Sequence, residues 1–241
     1  MKKRYKNLIN FSNSWKFDRN VSKNFDQHVI QSIPFYKEFN SAIVSLSEFY
    51  MKENSTIYDL GCSTGNITTG LINLNLSHSL SIYAIDREAS MLDIAKRKIK
   101  KLKKNKNTKI TFLKEDILKN KLLKNNLTIC SLVFPFFKIT DQSKLLKKIY
   151  NALEGGGAII ILDKIKSEDV DFETFFNQIY YDFKLRKKIK SIDITRKAKS
   201  LRSVHSLKSQ KETEAMLYKS GFKKIENFFK FMNFSGFIAV K

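Results

Sequence analysis

Cysteine and histidine are scarce in this 241-residue chain, which has two of the first, Cys62 and Cys130, and three of the second, His28, His78 and His205. Their spacing makes neither a disulfide framework nor a metal clip. No metal site is expected, and so little cysteine fits a reducing, cytoplasmic setting. Long apolar runs are missing too. No stretch reaches the ~18 apolar residues of a membrane-spanning helix. The basic opening Met1-Lys2-Lys3-Arg4-Tyr5-Lys6 is followed by neither an apolar run nor a small-residue cleavage site, so no secretion signal is expected. Acids are in deficit, 23 against 45 Lys and Arg, for a formal net charge of +22. That balance favours approach to polyanions, RNA first among them. In the run 96–106, however, Met91, Leu92, Ala95, Ile99 and Leu102 fall at helical spacing. Its lysines therefore also read as the solvated face of a helix.

The apolar share, 42%, supports a sizeable core, and the length suits one domain over 1–241. From residue 55 onward short apolar runs at 56–60, 80–85, 109–113, 127–134 and 158–162 alternate with amphipathic stretches such as 91–102 and 145–153. Strands alternating with helices predict βαβ units and a mainly parallel sheet. Runs at 222–231 and 234–240, with a short polar break, predict an antiparallel hairpin. Helical patterns at 21–31 and 35–50, separated by Pro34, make 1–54 an N-terminal cover. A second helical insertion at 167–209 precedes a last helix over 210–220 that Gly221 ends.

The chemistry-bearing signal is Ile57-Tyr58-Asp59-Leu60-Gly61-Cys62-Ser63-Thr64-Gly65-Asn66, between a strand and a helix. Gly61 permits positive φ and Gly65 a close approach, so the turn aims backbone N–H groups and a helix N-terminus at a ligand. Asp86 ends the next strand, where a carboxylate can accept both hydroxyls of a ribose. Glu115-Asp116-Ile117 follows the third strand, where Asp116 is placed for an adenine amino group. The order glycine turn, ribose acid, adenine acid predicts an adenosine ligand.

This combination resembles the class I S-adenosylmethionine (SAM)-dependent methyltransferases. The turn Gly-Cys-Ser-Thr-Gly differs from the Gly-x-Gly-x-x-Gly of nicotinamide-dependent dehydrogenases. The resemblance implies an α/β, Rossmann-like, seven-stranded sheet with an antiparallel last strand and helices on both faces. A narrower likeness is to the carboxy-SAM synthase branch. It rests on Trp15-Lys16-Phe17-Asp18, Phe25-Asp26-Gln27-His28-Val29, Ser32-Ile33-Pro34-Phe35-Tyr36, Lys148-Ile149-Tyr150, Gly155-Gly156-Gly157, Tyr181-Asp182-Phe183-Lys184 and Phe231-Met232-Asn233-Phe234. That branch makes carboxy-SAM from SAM and prephenate for a tRNA wobble uridine, and the likeness implies a homodimer. It implies SAM contacts at Tyr36, Gly61, Cys62, Ser63, Asp86, Arg87, Asp116 and Ile117, to which the turn residues Asp59 and Gly65 are added.

Two positions depart from the branch. Ala198 stands where an arginine is expected to grip the extra carboxylate of carboxy-SAM, and Ser131 replaces an asparagine among the cofactor contacts. Arg202, one helical turn beyond Ala198, shares its face and is the candidate substitute. The stretch Val133-Phe134-Pro135-Phe136 makes the pocket more apolar, with Phe134 and Phe136 as candidate walls. The leading expectation is methyl transfer from SAM to a small-molecule or RNA acceptor, with no catalytic base singled out. Carboxy-SAM synthesis and a non-catalytic role in tRNA modification are the alternatives.

Overall fold

The computed structural model describes residues 24–102, 106–202 and 204–241. Trp15-Lys16-Phe17-Asp18, the start of the helix expected over 21–31 and the middle of the lysine run fall outside them. Strands β1 (Ser55–Leu60), β2 (Leu80–Asp86), β3 (Thr108–Lys114), β4 (Asn125–Ser131), β5 (Leu153–Lys164), β6 (Lys224–Phe231) and β7 (Phe234–Val240) form one sheet ordered β3-β2-β1-β4-β5-β7-β6. The first five run parallel, and β7 lies antiparallel between β5 and β6. The helices are α1 (Phe25–Ser32), α2 (Tyr36–Glu48), α3 (Asn66–Asn73), α4 (Ala89–Lys100), α5 (Ile139–Ala152), α6 (Val170–Arg186), α7 (Ser191–Arg202) and α8 (Gln210–Ser220). None of these is long and apolar enough to cross a membrane.

Strand side chains alternate between faces, so a continuous apolar run implies burial on both sides. On β5, Ile159 and Ile161 pack with Leu145, Leu146 and Ile149 of α5 and Leu217 of α8. Ala158, Ile160 and Leu162 face the opposite core, with Phe39 and Ile43 of α2 and Ile67 and Leu71 of α3. The expected hairpin and the final helix are both present. Ser209 and Glu212 form a capping box at the start of α8, and Gly221, at φ 115°, ends it.

The strand expected over 127–134 stops at Ser131. Leu132 turns the chain with φ 59°, and Phe134–Phe136 forms a 3₁₀ turn around Pro135, which has no N–H to give a ladder. The apolar run continues past the strand because the turn itself is buried.

The cover helices have little apolar anchorage: α1 buries Val29 and Ser32, α7 buries Ile194, and no α6 residue is fully buried. Polar contacts fix α1 instead. The Asp26 carboxylate accepts from Thr64 Oγ1 (2.6 Å) and Asn66 Nδ2 (3.0 Å) and pairs with Lys98 Nζ (2.5 Å). Asn66 also donates to the Tyr36 hydroxyl at 3.0 Å, tying α2 to the same point. Burial works to raise the Asp26 pKa, but Lys98, Thr64 and Asn66 outweigh it and hold the group below its ordinary 3.8. Its contribution to stability is therefore present at neutral pH and is lost as pH falls below about 4. Asp26→Ala should cost about 2 kcal/mol in urea unfolding at pH 7, from charge-assisted hydrogen bonds partly screened by solvent. The gap to the parent chain should narrow below pH 4; an unchanged gap there would show that the carboxylate's charge is not what holds α1.

Candidate functional site

Strand order reverses between β1 and β4, and open α/β sheets hold ligands beyond the carboxyl ends of their strands at such a point. A cavity of about 370 Å³ opens there. Its floor is the turn after β1, where Gly61 N (2.8 Å) and Cys62 N (3.0 Å) donate to Ile85 O and couple the turn to β2. Gly61 has φ +75°, and a Cβ on it would lie 2.5 Å from Val133 Cγ2, so both conformation and space demand glycine. Ser63 holds φ 50° through its N–H, which donates to Asp86 Oδ2 at 2.8 Å. Glu88 N donates to Asp86 Oδ1 at 2.9 Å. Two backbone donors thus orient Asp86 and leave about two of its four lone-pair sites for a ligand diol. Asp116 is held similarly, with Leu118 N donating to Oδ1 at 2.9 Å.

The electrostatics suit a cation. Asp59 is 2% exposed, and burial pushes its carboxyl up to about 6 against the Thr68 hydrogen bond, with Asp86 adding repulsion. Thr68 Oγ1 donates to Asp59 Oδ2 at 2.5 Å. Burial raises Asp86 as well. A positively charged ligand would favour the ionised form of both. The Cys62 thiol is free and pushed up by burial, which removes it as a nucleophile at neutral pH.

The cavity wall contains Tyr36, Asp59, Gly61, Cys62 and Ser63, and from the later strands Asp86, Arg87, Asp116, Ile117 and Ser131. Gly65 is not among them. It precedes α3 at φ +73°, and a Cβ there would meet Ala95 Cβ at 2.9 Å, so its role is packing α3 against α4. Phe134 is also displaced from expectation, being 1% exposed in the core beneath the 3₁₀ turn. Phe136, two residues on, is in the wall. Asn66, Met91, Phe25 and Val29 line the cavity without having been foreseen as contacts. The Asp26 latch was invisible in local sequence because its Thr64 partner lies 38 residues away.

A second cavity, of about 880 Å³, lies between α1, α6, α7 and the end of β5. Phe25, Val29, Leu132 and Phe136 line both cavities, so the two adjoin. Ala198 and Arg202 both face the second. Among the described residues no group of His, Cys, Asp and Glu is arranged to hold a metal ion.

The chain was compared with known proteins. The model of the ubiE/COQ5 methyltransferase family matches residues 16–240. The carboxy-S-adenosyl-L-methionine synthase of Staphylococcus epidermidis is 34% identical over 228 residues, 94% of this chain and 97% of that one. The synthase of the same name from Campylobacter jejuni is 33% identical, with 94% of each chain covered. Among solved structures, magnesium protoporphyrin IX methyltransferase from Synechocystis with bound SAH superposes with TM-score 0.65 at 13% identity, over 93% of this chain and 96% of that one. Human N-acetylserotonin methyltransferase in complex with SAM gives 0.60 at 15% identity, over 93% of this chain and 56% of that one. These two show the shared fold. The chain belongs to the ubiE/COQ5 family of class I SAM-dependent methyltransferases, in its carboxy-SAM synthase-like branch, and SAM-dependent group transfer is its chemistry.

Proposed function

We propose that the chain transfers the methyl group of SAM to a small-molecule acceptor bound in the second cavity. The supporting observation is that the two cavities adjoin, with Phe25, Val29, Leu132 and Phe136 in both linings, which puts an acceptor in the second next to a cofactor in the first. SAM supplies an electrophilic methyl on a sulfonium, so the protein's task is orientation. Asp86 would accept the ribose hydroxyls and Asp116 the adenine amino group, with Ile117 against the ring. Asp59 would face the cationic end, and Tyr36, Arg87 and Ser131 would complete the wall. Ala198 lines the second cavity and offers no donor where a guanidinium fork for a carboxylate is expected, which favours SAM over its carboxylated form.

Carboxy-SAM synthesis is the second reading. The name carried by the relatives favours it, as do the cations of the second cavity, Arg202 among them. Mass spectrometry of the nucleoside released on denaturing freshly purified protein separates the two, together with incubation in SAM and prephenate. SAM or S-adenosylhomocysteine, with no carboxy-SAM formed, is expected; carboxy-SAM in either sample would replace the first reading by the second.

Asp59 gives a pH signature. Its raised pKa means that the ligand-free chain keeps this group's contribution below its ordinary 3.8 and loses it as pH rises through about 6. A cationic ligand favours the ionised form, so binding should expel a proton. SAM affinity measured by calorimetry should rise about tenfold from pH 5 to 7. Asp59→Asn should flatten that slope, and a slope unchanged by the substitution would remove Asp59 from the site.

A further inference from the structure

The segment between β3 and β4 carries Asp116 and Ile117 into the wall of the cofactor cavity on a single turn of backbone. Within that turn the N–H groups look back to one residue. Lys119 N and Asn120 N both donate to Asp116 O at 2.9 Å, and Leu118 N donates to the Asp116 carboxylate. The carbonyl groups look the other way, toward α5. Lys148 of that helix brings its ammonium group to Ile117 O at 2.5 Å, Asn120 O at 2.9 Å and Leu118 O at 3.2 Å. An ammonium has three N–H donors and no acceptor, so three carbonyls saturate it.

A turn this short has no following helix to satisfy its carbonyls, and a cation placed there completes it as a basic residue completes a helix C-terminus. Burial works against the charge on Lys148 and outweighs the opposing pull of Asp116, so its pKa lies below the ordinary 10.5. Helix α5 is a firm base for such a contact, because its Leu145, Leu146 and Ile149 are buried in the core against β5. Asp116 has little else to orient it. Asp86 is half-buried and takes two backbone donors, whereas Asp116 is exposed and takes one. The direction of its free oxygen is therefore set by the turn, and the turn is fixed to α5 through Lys148. Lys148 itself stands outside the cavity wall.

We propose that Lys148 is the positioning residue for adenine recognition: it holds the Asp116 turn against α5 and so aims the carboxylate at the amino group of the cofactor. This rests on the reading above that Asp116 accepts that amino group, and it is independent of which group SAM transfers.

The test compares S-adenosylhomocysteine with S-inosylhomocysteine, in which an oxygen replaces the amino group, by titration calorimetry on the full chain. A carboxylate aimed at that position meets a donor in the first and an acceptor in the second, so the parent chain should prefer the first at least about tenfold. Lys148→Met keeps the length of the side chain without the cation, and should bring that preference below about threefold. Lys148→Gln keeps two N–H donors without the charge, should fall between the two, and serves where the Met variant is too unstable to purify. Lys147→Met, on the same helix but directed to Ser220 O at 3.4 Å, should leave the preference at the parent value. A parent preference that survives both substitutions of Lys148, even with a lowered Tm, overturns the proposal and leaves Lys148 a part of the fold. Equal loss of affinity for the two nucleosides does the same. No preference in the parent chain overturns it together with the Asp116 assignment.

Discussion

Asp26 ties α1 to three residues beside the cofactor cavity: Thr64 in the glycine turn, Asn66 at the start of α3 and Lys98 on α4. Its own helix has eight residues, too few to persist in water without tertiary contacts. Apolar burial there is slight, so the carboxylate decides where α1 sits. That position matters because Phe25 and Val29 of α1 stand between the two cavities. Tyr36 of α2 enters the cofactor cavity through the same junction, by way of Asn66. The Asp26 contacts thus help enclose that turn.

The two cavities carry opposite character on either side of one apolar wall. Burial in the first penalises the charged forms of Asp59 and Asp86, which favours a cationic ligand; in the second it penalises Lys164 and Lys184, which favours an anionic one. Such an arrangement sorts ligands by repulsion as much as by attraction, since each would meet like charge in the wrong cavity. The 3₁₀ turn that carries Phe136 into the wall is anchored by another buried charge. Val133 N donates to Asp163 Oδ1 at 3.1 Å, and Lys208 lies 5.5 Å from the centroid of the Phe134 ring. Burial pushes the Asp163 carboxyl up, while Lys208 and the backbone donors pull it back.

What was legible in sequence was local. Apolar runs gave the strands because β4 and β5 are buried on both faces, and the glycine turn with Asp86 and Asp116 marked three successive strand ends. Phe134, a candidate pocket wall in sequence, packs in the core at the 3₁₀ turn; a buried turn and a buried strand are equally apolar. Gly65 lies outside the cavity wall: close approach of a helix looks, in sequence, like close approach of a ligand. The second cavity left almost no trace. Its lysines come from β5, α6 and α7, and against 45 basic residues none stands out. A net charge of +22 suggests a polyanion, yet it does not separate Lys184, brought down to about 7 by burial and then by Lys197 and Lys164, from a lysine on a solvated helix face. Burial makes that separation, and burial is set by packing between segments far apart in the chain. In a lysine-rich protein the total charge is therefore a poor guide to which cations the fold has desolvated.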